Sequence, residues 1–283
     1  MIGVSPAYFI SSRTKRFTAR DMAEGLGAVA ELGYTAFEPE VFYTEFLDDW
    51  VQQGAAQVAK AARDAGLTPS MFVAHCLQEA FCDPRTLESD LGLDEMDKVL
   101  DICGHFPETD VVCVALMTFD PGSGMVTGQD YTRWQGWVME KLGIMHEKVV
   151  ASGRKLCVEI LPGAVIGGID GLLRIREQLG APDLGLNFDT GHAHACKENL
   201  ELIPAKFAGT IYGVHLCDNF GRENMSLAPG KGDVDFASLI SSLKHNGFTG
   251  SWDVEIICAP ELVGQEYAAG FEYISGLLTD SAL

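Results

Sequence analysis

Eight short apolar segments, each followed by an amphipathic stretch of helical spacing, predict an α/β fold in which eight parallel strands close into a single (β/α)8 TIM barrel. Two further observations favour closure over an open sheet. The 283 residues suit one barrel. No Gly-x-Gly-x-x-Gly follows the first apolar segment, so a dinucleotide-binding, doubly wound sheet lacks its local signature.

The strands are read at residues 2–10, 36–41, 69–76, 111–117, 156–161, 184–188, 211–216 and 251–257. The first helix is expected over 18–32, with Thr18 as its N-cap and Gly33 just past its end. A second runs over 47–65 and stops at Gly66. Asp83-Pro84 opens the third, with Pro84 where its missing N–H costs nothing. The remaining helices are placed at 131–151, 169–179, 199–207, 236–245 and 261–278. Residues 121–128 (Pro-Gly-Ser-Gly-Met-Val-Thr-Gly) read as a long loop after strand four. No low-complexity linker or composition break divides the chain, so residues 1–283 are read as one domain.

With 47% hydrophobic and 21% charged residues, the chain has ample material for a core and no mark of disorder. No apolar run approaches the ~18–20 residues that span a bilayer, and the N-terminus lacks a signal-peptide pattern. A soluble, cytoplasmic protein is expected. Of the eight cysteines, Cys76, Cys113, Cys157, Cys217 and Cys258 lie in or beside apolar runs, and no Cys-x-x-Cys occurs, so reduced thiols are expected rather than disulfides or thiolate zinc clusters. Twenty basic against 40 acidic residues give a formal charge of −20, which repels phosphodiester backbones and speaks against nucleic-acid partners.

A buried parallel strand should be almost wholly apolar. Four strands of the second half break that rule at or beside their C-terminal ends: Glu159 in Val158-Glu159-Ile160, Asp189 after Asn187-Phe188, His215 in Val214-His215-Leu216, and Glu255 in Val254-Glu255-Ile256. An isolated buried carboxylate costs several kcal/mol or more, so a cation is needed beside them. Alternation places Glu159, His215 and Glu255 inside the barrel and their apolar neighbours against the helices. Gly185 and Gly213 also face inward and would leave room beneath the cluster. Three acids and one imidazole at the open ends of consecutive strands make a site for one divalent cation. Mn²⁺ is the first expectation, with Mg²⁺, Co²⁺ and Zn²⁺ also compatible. Taken singly, each residue reads as easily as structure, and Asp189-Thr190-Gly191 also looks like a turn. Four in consecutive strands with matching parity do not.

These segments, together with Phe188-Asp189-Thr190-Gly191-His192, His215-Leu216-Cys217-Asp218, Pro229-Gly230-Lys231-Gly232, Val234-Asp235-Phe236 and Trp252-Asp253-Val254-Glu255, resemble the xylose-isomerase-like barrel superfamily of sugar isomerases and epimerases. Its members include ketose 3-epimerases, keto-inositol isomerases and dehydratases, hydroxypyruvate isomerases and apurinic endonucleases. The resemblance implies that Glu159, Asp189, His215 and Glu255 hold the metal, that Glu159 and Glu255 double as acid/base groups on opposite faces of the substrate, and that His192 and Arg222 bind substrate oxygens. His75, at the end of strand three, faces the same mouth and is a third candidate for substrate binding; it reads equally as a histidine bonded to a neighbouring loop. The three-zinc endonuclease pattern needs an Asp-x-His before Pro229-Gly230, and residues 222–227 contain no histidine.

The expected chemistry is proton transfer at a carbon beside a carbonyl, through an enediolate that the metal stabilises. It makes the protein an isomerase or epimerase of a small ketose or keto-polyol. The alternatives are a keto-inositol dehydratase, in which His192, His75 or Lys231 protonates the leaving group, and a sugar-binding barrel without turnover. Tyr8, Phe9, Glu38, Glu40 and Phe42 are expected among the loops that select substrate. Homo-oligomers are common among such barrels.

Overall fold

The computed structural model describes residues 1–280. Nine strands form one sheet: β1 (Ile2–Val4), β2 (Ala36–Phe37), β3 (Thr68–Pro69), β4 (Phe72–Val73), β5 (Val111–Leu116), β6 (Lys155–Ile160), β7 (Gly185–Asp189), β8 (Ile211–Leu216) and β9 (Trp252–Val254). Every pairing is parallel, in the order β3-β2-β1-β9-β8-β7-β6-β5-β4. The ninth strand arises because the third barrel strand is interrupted at Ser70-Met71. Its first half pairs with β2 and its second half with β5. The barrel closes across this break by an isolated parallel bridge between Glu40 and Val73. There the Val73 N–H donates to the Pro39 carbonyl at 2.9 Å.

Three strand readings are corrected. The first strand does not run to residue 10: it stops at Val4, and Ala7–Ser12 is helical. Pro6 takes helical dihedrals and offers no N–H to a ladder, while the Ala7 N–H donates to the Ser5 hydroxyl at 3.2 Å. Tyr8 and Phe9 therefore pack in the core, in edge contact with each other, instead of lining a loop that selects substrate. The third strand ends at Val73, and His75 begins a 3-10 helix over His75–Phe81. The eighth barrel strand ends its ladder at Val254, leaving Glu255 one residue beyond, tied by its N–H to the Leu216 carbonyl at 3.1 Å.

The helices start where their caps predict. Thr18 and Asp21 form a capping box ahead of Ala19–Glu31, and Asp83 caps Pro84–Glu88 through the N–H groups of Arg85 and Thr86. Gly66 and Gly180 end their helices at positive φ, the left-handed region that glycine enters without cost. The 47–65 segment is helical throughout but contains a π turn over Trp50–Gly54. At that turn Gly54 lets helix Ala19–Glu31 approach: a Cβ added there would lie 2.6 Å from the Ala19 Cβ. The 199–207 helix shrinks to a 3-10 turn at Leu200–Leu202 and a short helix Ile203–Lys206 around Pro204. A separate helix, Leu93–Cys103, follows Pro84–Glu88.

The inside–outside parity holds. Val158, Ile160, Val214, Leu216, Val254 and Ile256 join the large apolar cluster shared with the helices, whereas Met71, Val73, Val111, Cys113 and Cys157 form a second, small cluster. Gly185 and Gly213 do not leave empty space. A Cβ on Gly185 would sit 2.3 Å from the Tyr212 ring, and one on Gly213 would sit 2.7 Å from Asn187 Oδ1 and 2.9 Å from Met71. The missing side chains are replaced by neighbours, as close packing of a barrel interior requires. All eight cysteines are free thiols. Among the described residues no helix is long and apolar enough to cross a membrane.

Candidate metal centre

β6, β7 and β8 lie side by side, and their registers set Glu159, Asp189 and His215 close to the C-terminal rim. Asp189 is directly paired with His215. The three residues are 2%, 4% and 2% exposed. One ligand atom from each lies within 4.8 Å of the others. His215 Nδ1 is 3.5 Å from Glu159 Oε1, 3.9 Å from Asp189 Oδ2 and 3.0 Å from Glu255 Oε2. One imidazole nitrogen thus faces three carboxylates. A second triad, Asp189, Cys217 and Glu255, shares two of these acids, with Cys217 Sγ 3.6 Å from Asp189 Oδ1.

Each of these side chains is held from behind. His215 Nε2 lies 2.8 Å from Glu38 Oε2, and Glu38 is fully buried at the end of β2. This carboxylate–histidine contact fixes the ring so that Nδ1 points at the acids. The Ser5 hydroxyl donates to Glu255 Oε2 at 3.2 Å. Asp189 caps the short helix Thr190–Ala195, accepting from the His192 N–H at 2.6 Å, so the turn-like Asp-Thr-Gly is a helix start as well as a ligand position. Thr190 Oγ1 donates to the Cys217 carbonyl at 2.6 Å and accepts from its N–H, locking that helix onto β8.

The electrostatics of these side chains show how the cluster balances its charge. Burial raises Asp189 to about 7. Burial works the same way on Glu159, but the His215 imidazolium, with His192 and His75 behind it, overcomes it and pulls that carboxyl down to about 2. His215 goes well above its ordinary value, because Glu38, Glu159 and Glu255 outweigh the burial that opposes its charge. A proton on His215 thus serves as the counter-charge, while Glu159 Oε2 remains buried without a partner. A donor set of three carboxylates, one imidazole and an orphaned oxygen fits a divalent cation. Cation binding must displace the protons of Asp189 and His215. The sign follows: affinity rises with pH. Between pH 8 and pH 6 the apparent dissociation constant should weaken by at least about tenfold, with proton release on binding. Titration calorimetry with Mn²⁺ in two buffers of different ionisation enthalpy checks this, and a pH-independent constant contradicts it.

The other expected site residues divide. His192 joins the centre, its Nε2 3.5 Å from Glu159 Oε1 and its Nδ1 3.1 Å from Asn224 Nδ2. His75 stands near enough to Glu159 and Glu255 for their charges to act on it, with Nδ1 bonded to Glu40 and its ring against Phe42 at 4.9 Å. Arg222 stays exposed in the loop after β8, lining a cavity of about 460 Å³ with Phe220, Glu223, Met225 and Asp233. Lys231 is engaged by Glu266 at 2.5 Å. Glu38 and Glu40, expected as selecting residues, are instead buried behind His215 and His75. Sequence reasoning gave no role to Ser5, Asn187, Cys217 or Asn224. A usable signal lay in Glu38-Pro39-Glu40, where two acids two residues apart share one face of an extended segment.

The family described as xylose isomerase-like TIM barrel matches residues 26–275. An uncharacterised protein of Methanocaldococcus jannaschii is 30% identical over 108 residues, which is 36% of this chain and 37% of that protein. The chain therefore spans little more than a third of the length of that relative. Among solved structures, an IolI protein with a bound zinc atom superposes with a TM-score of 0.73 at 16% identity, covering 99% of this chain and 96% of that one. D-allulose 3-epimerase from Methylomonas sp. gives a TM-score of 0.73 at 15% identity, covering 98% and 97%.

Proposed function

This chain belongs to the xylose isomerase-like TIM barrel family, and from that premise we propose that it is a divalent-metal-dependent isomerase or epimerase of a small ketose or keto-polyol. The observation that carries the proposal is the buried set of Glu159, Asp189, His215 and Glu255, packed around one imidazole nitrogen with a carboxylate oxygen left unpartnered. Structural neighbours that are sugar epimerases support the reaction class, and a zinc-bound neighbour supports a divalent ion.

Glu159, Asp189, His215 and Glu255 would hold the cation. Bound there, it supplies Lewis-acid stabilisation of negative charge building on the substrate's carbonyl and adjacent hydroxyl oxygens. Glu159 and Glu255 both approach His215 Nδ1, at 3.5 and 3.0 Å, and supply two carboxylates for proton transfer at carbon. One takes the proton from the carbon beside the carbonyl. Its return to the neighbouring carbon isomerises; delivery by the other carboxylate to the opposite face epimerises. Glu38 fixes the imidazole that orders the set, and Ser5 fixes Glu255. His192 stands 3.5 Å from Glu159 with its other nitrogen held by Asn224, placed to bind a substrate oxygen.

The test is a panel of ketopentoses, ketohexoses and keto-inositols incubated with the protein and Mn²⁺ in D2O and read by mass spectrometry and NMR. Isomerase or epimerase action gains one mass unit at a single carbon. Loss of 18 mass units identifies a dehydratase instead, and no change with any sugar leaves a binding protein without turnover.

A further inference from the structure

The segment Glu38-Pro39-Glu40 at the end of β2 places two fully or almost fully buried carboxylates two residues apart, and each holds one histidine that faces the barrel mouth. Glu38 backs His215, the imidazole of the metal set. Glu40 backs His75, which neither group of metal-ligating side chains contains. The second pair thus repeats a carboxylate–histidine unit where no cation is called for. His75 Nδ1 is taken by Glu40, its ring is braced by Phe42, and its side chain is 17% exposed. Among the described residues no hydrogen bond engages its Nε2. Glu40 keeps its second oxygen buried without a partner, so its charge is committed to His75. A histidine bonded to a loop for structure alone needs no dedicated buried carboxylate, whose desolvation costs several kcal/mol.

Building on the isomerase-or-epimerase reading, we infer that His75, oriented by Glu40, carries a proton between two neighbouring substrate oxygens, so that the reaction is the interconversion of a ketose and an aldose rather than epimerisation. Epimerisation moves a proton only at carbon and leaves every oxygen as it was; two carboxylates suffice for it. Ketose–aldose interconversion must also move a proton from a hydroxyl to a carbonyl oxygen. The step balances as follows. A carboxylate takes the C–H proton and the C–H electron pair becomes the C=C bond. The carbonyl oxygen, which has received the C=O electron pair, then takes the proton of His75 Nε2–H, forming its O–H bond. Neutral His75 then takes the proton of the adjacent hydroxyl, whose carbon becomes the new carbonyl, and the carboxylate returns its proton to the old carbonyl carbon. Substrate and product are isomers and both groups are restored. Burial alone would depress His75, but Glu40 reverses this and raises it, which favours the protonated imidazole from which the cycle starts.

The experiment uses the ketose that wild type labels fastest in D2O, with His75→Gln and Glu40→Gln beside wild type, all loaded with Mn²⁺. In His75→Gln, ketose–aldose conversion is expected to fall at least ~100-fold, while carbon-bound deuterium uptake stays within about tenfold and metal content is unchanged. Glu40→Gln is expected to lower kcat about tenfold or more with KM little changed. In long-range ¹H–¹⁵N spectra recorded at a pH where His75 is neutral, it should shift the ring from a single Nδ1-protonated tautomer to a mixture, a readout that needs no substrate. The inference is overturned if conversion and exchange fall together, if neither falls, if the wild-type product is a C3 epimer or has lost water, or if the His75 tautomer ignores Glu40. Absence of deuterium uptake by wild type from any sugar is a separate result: it removes the isomerase-or-epimerase reading itself.

Discussion

Replacing Glu159 by Gln is expected to reduce turnover by about 10²–10⁴-fold, the range lost with a positioned acid–base group, and to weaken cation binding by at least about tenfold. The substitution conserves shape and removes one charge. It strikes the residue with the most functions in the centre: Oε1 faces both His215 and His192 at 3.5 Å, and Oε2 is the buried oxygen left without a partner. Val158 and Ile160 remain on the helix side, so the strand itself has no reason to change. The thermal readout distinguishes the two losses. At a cation concentration 100-fold above its dissociation constant, binding to the native state alone contributes about 2.7 kcal/mol. Wild type should therefore show a metal-dependent rise in Tm, and Glu159→Gln, at the same concentration, a much smaller one. Full turnover in the variant, or an unchanged metal response, would place the cation elsewhere.

Lys141→Met is expected to destabilise the protein by about 3 kcal/mol, of order 5–10 °C in Tm, with metal binding retained in the molecules that fold. Lys141 lies on helix Gly128–Ala151 and is buried, yet among the described residues no carboxylate forms an ion pair with it. Its ammonium instead donates to the carbonyls of Thr86 at 2.7 Å, Leu91 at 2.9 Å and Ala80 at 3.3 Å. Those three residues belong to the connection that follows His75, so one cation gathers a segment that a hairpin or ladder would otherwise have to shape. Burial lowers its pKa to about 8, and the three carbonyl oxygens favour the ammonium form at neutral pH. Methionine fills the volume and leaves three acceptors facing an apolar chain. Chemical denaturation followed by circular dichroism measures the loss; a cost below about 1 kcal/mol would show that water replaces the ammonium there.

The alternation of apolar and amphipathic segments determined the barrel, because period-two and period-3.6 patterns are local and survive in the sequence. The same logic made Glu159, Asp189, His215 and Glu255 legible: a charged or imidazole side chain among strand residues that are otherwise apolar stands out without any coordinates. Caps such as Thr18 and Asp83 were equally local.

What the sequence left open depended on distant neighbours. Residues 2–10 are apolar enough for a strand, but Pro6 and the packing of Tyr8 against Tyr267 and of Phe9 against Phe17 turned their second half into helix. The break in the third strand exists because its two halves pair with different neighbours, and the closing bridge comes from Glu40. Glu38 and Glu40 read from sequence as substrate-selecting acids; only the closed barrel, which brings the end of β2 across to His215 and beside His75, made them buried supports. Arg222 kept a plausible spacing from His215 and still points into a surface cavity, because the loop that carries it folds around Asp218, whose carboxylate accepts the N–H groups of Gly230, Gly232 and Val234. Sequence by itself marked which side chains carry charge or an imidazole where a strand should be apolar, since the cost of burying charge is written into the residue types. Tertiary structure alone decided which carboxylate stands behind which histidine, since that contact joins residues as far as 177 positions apart.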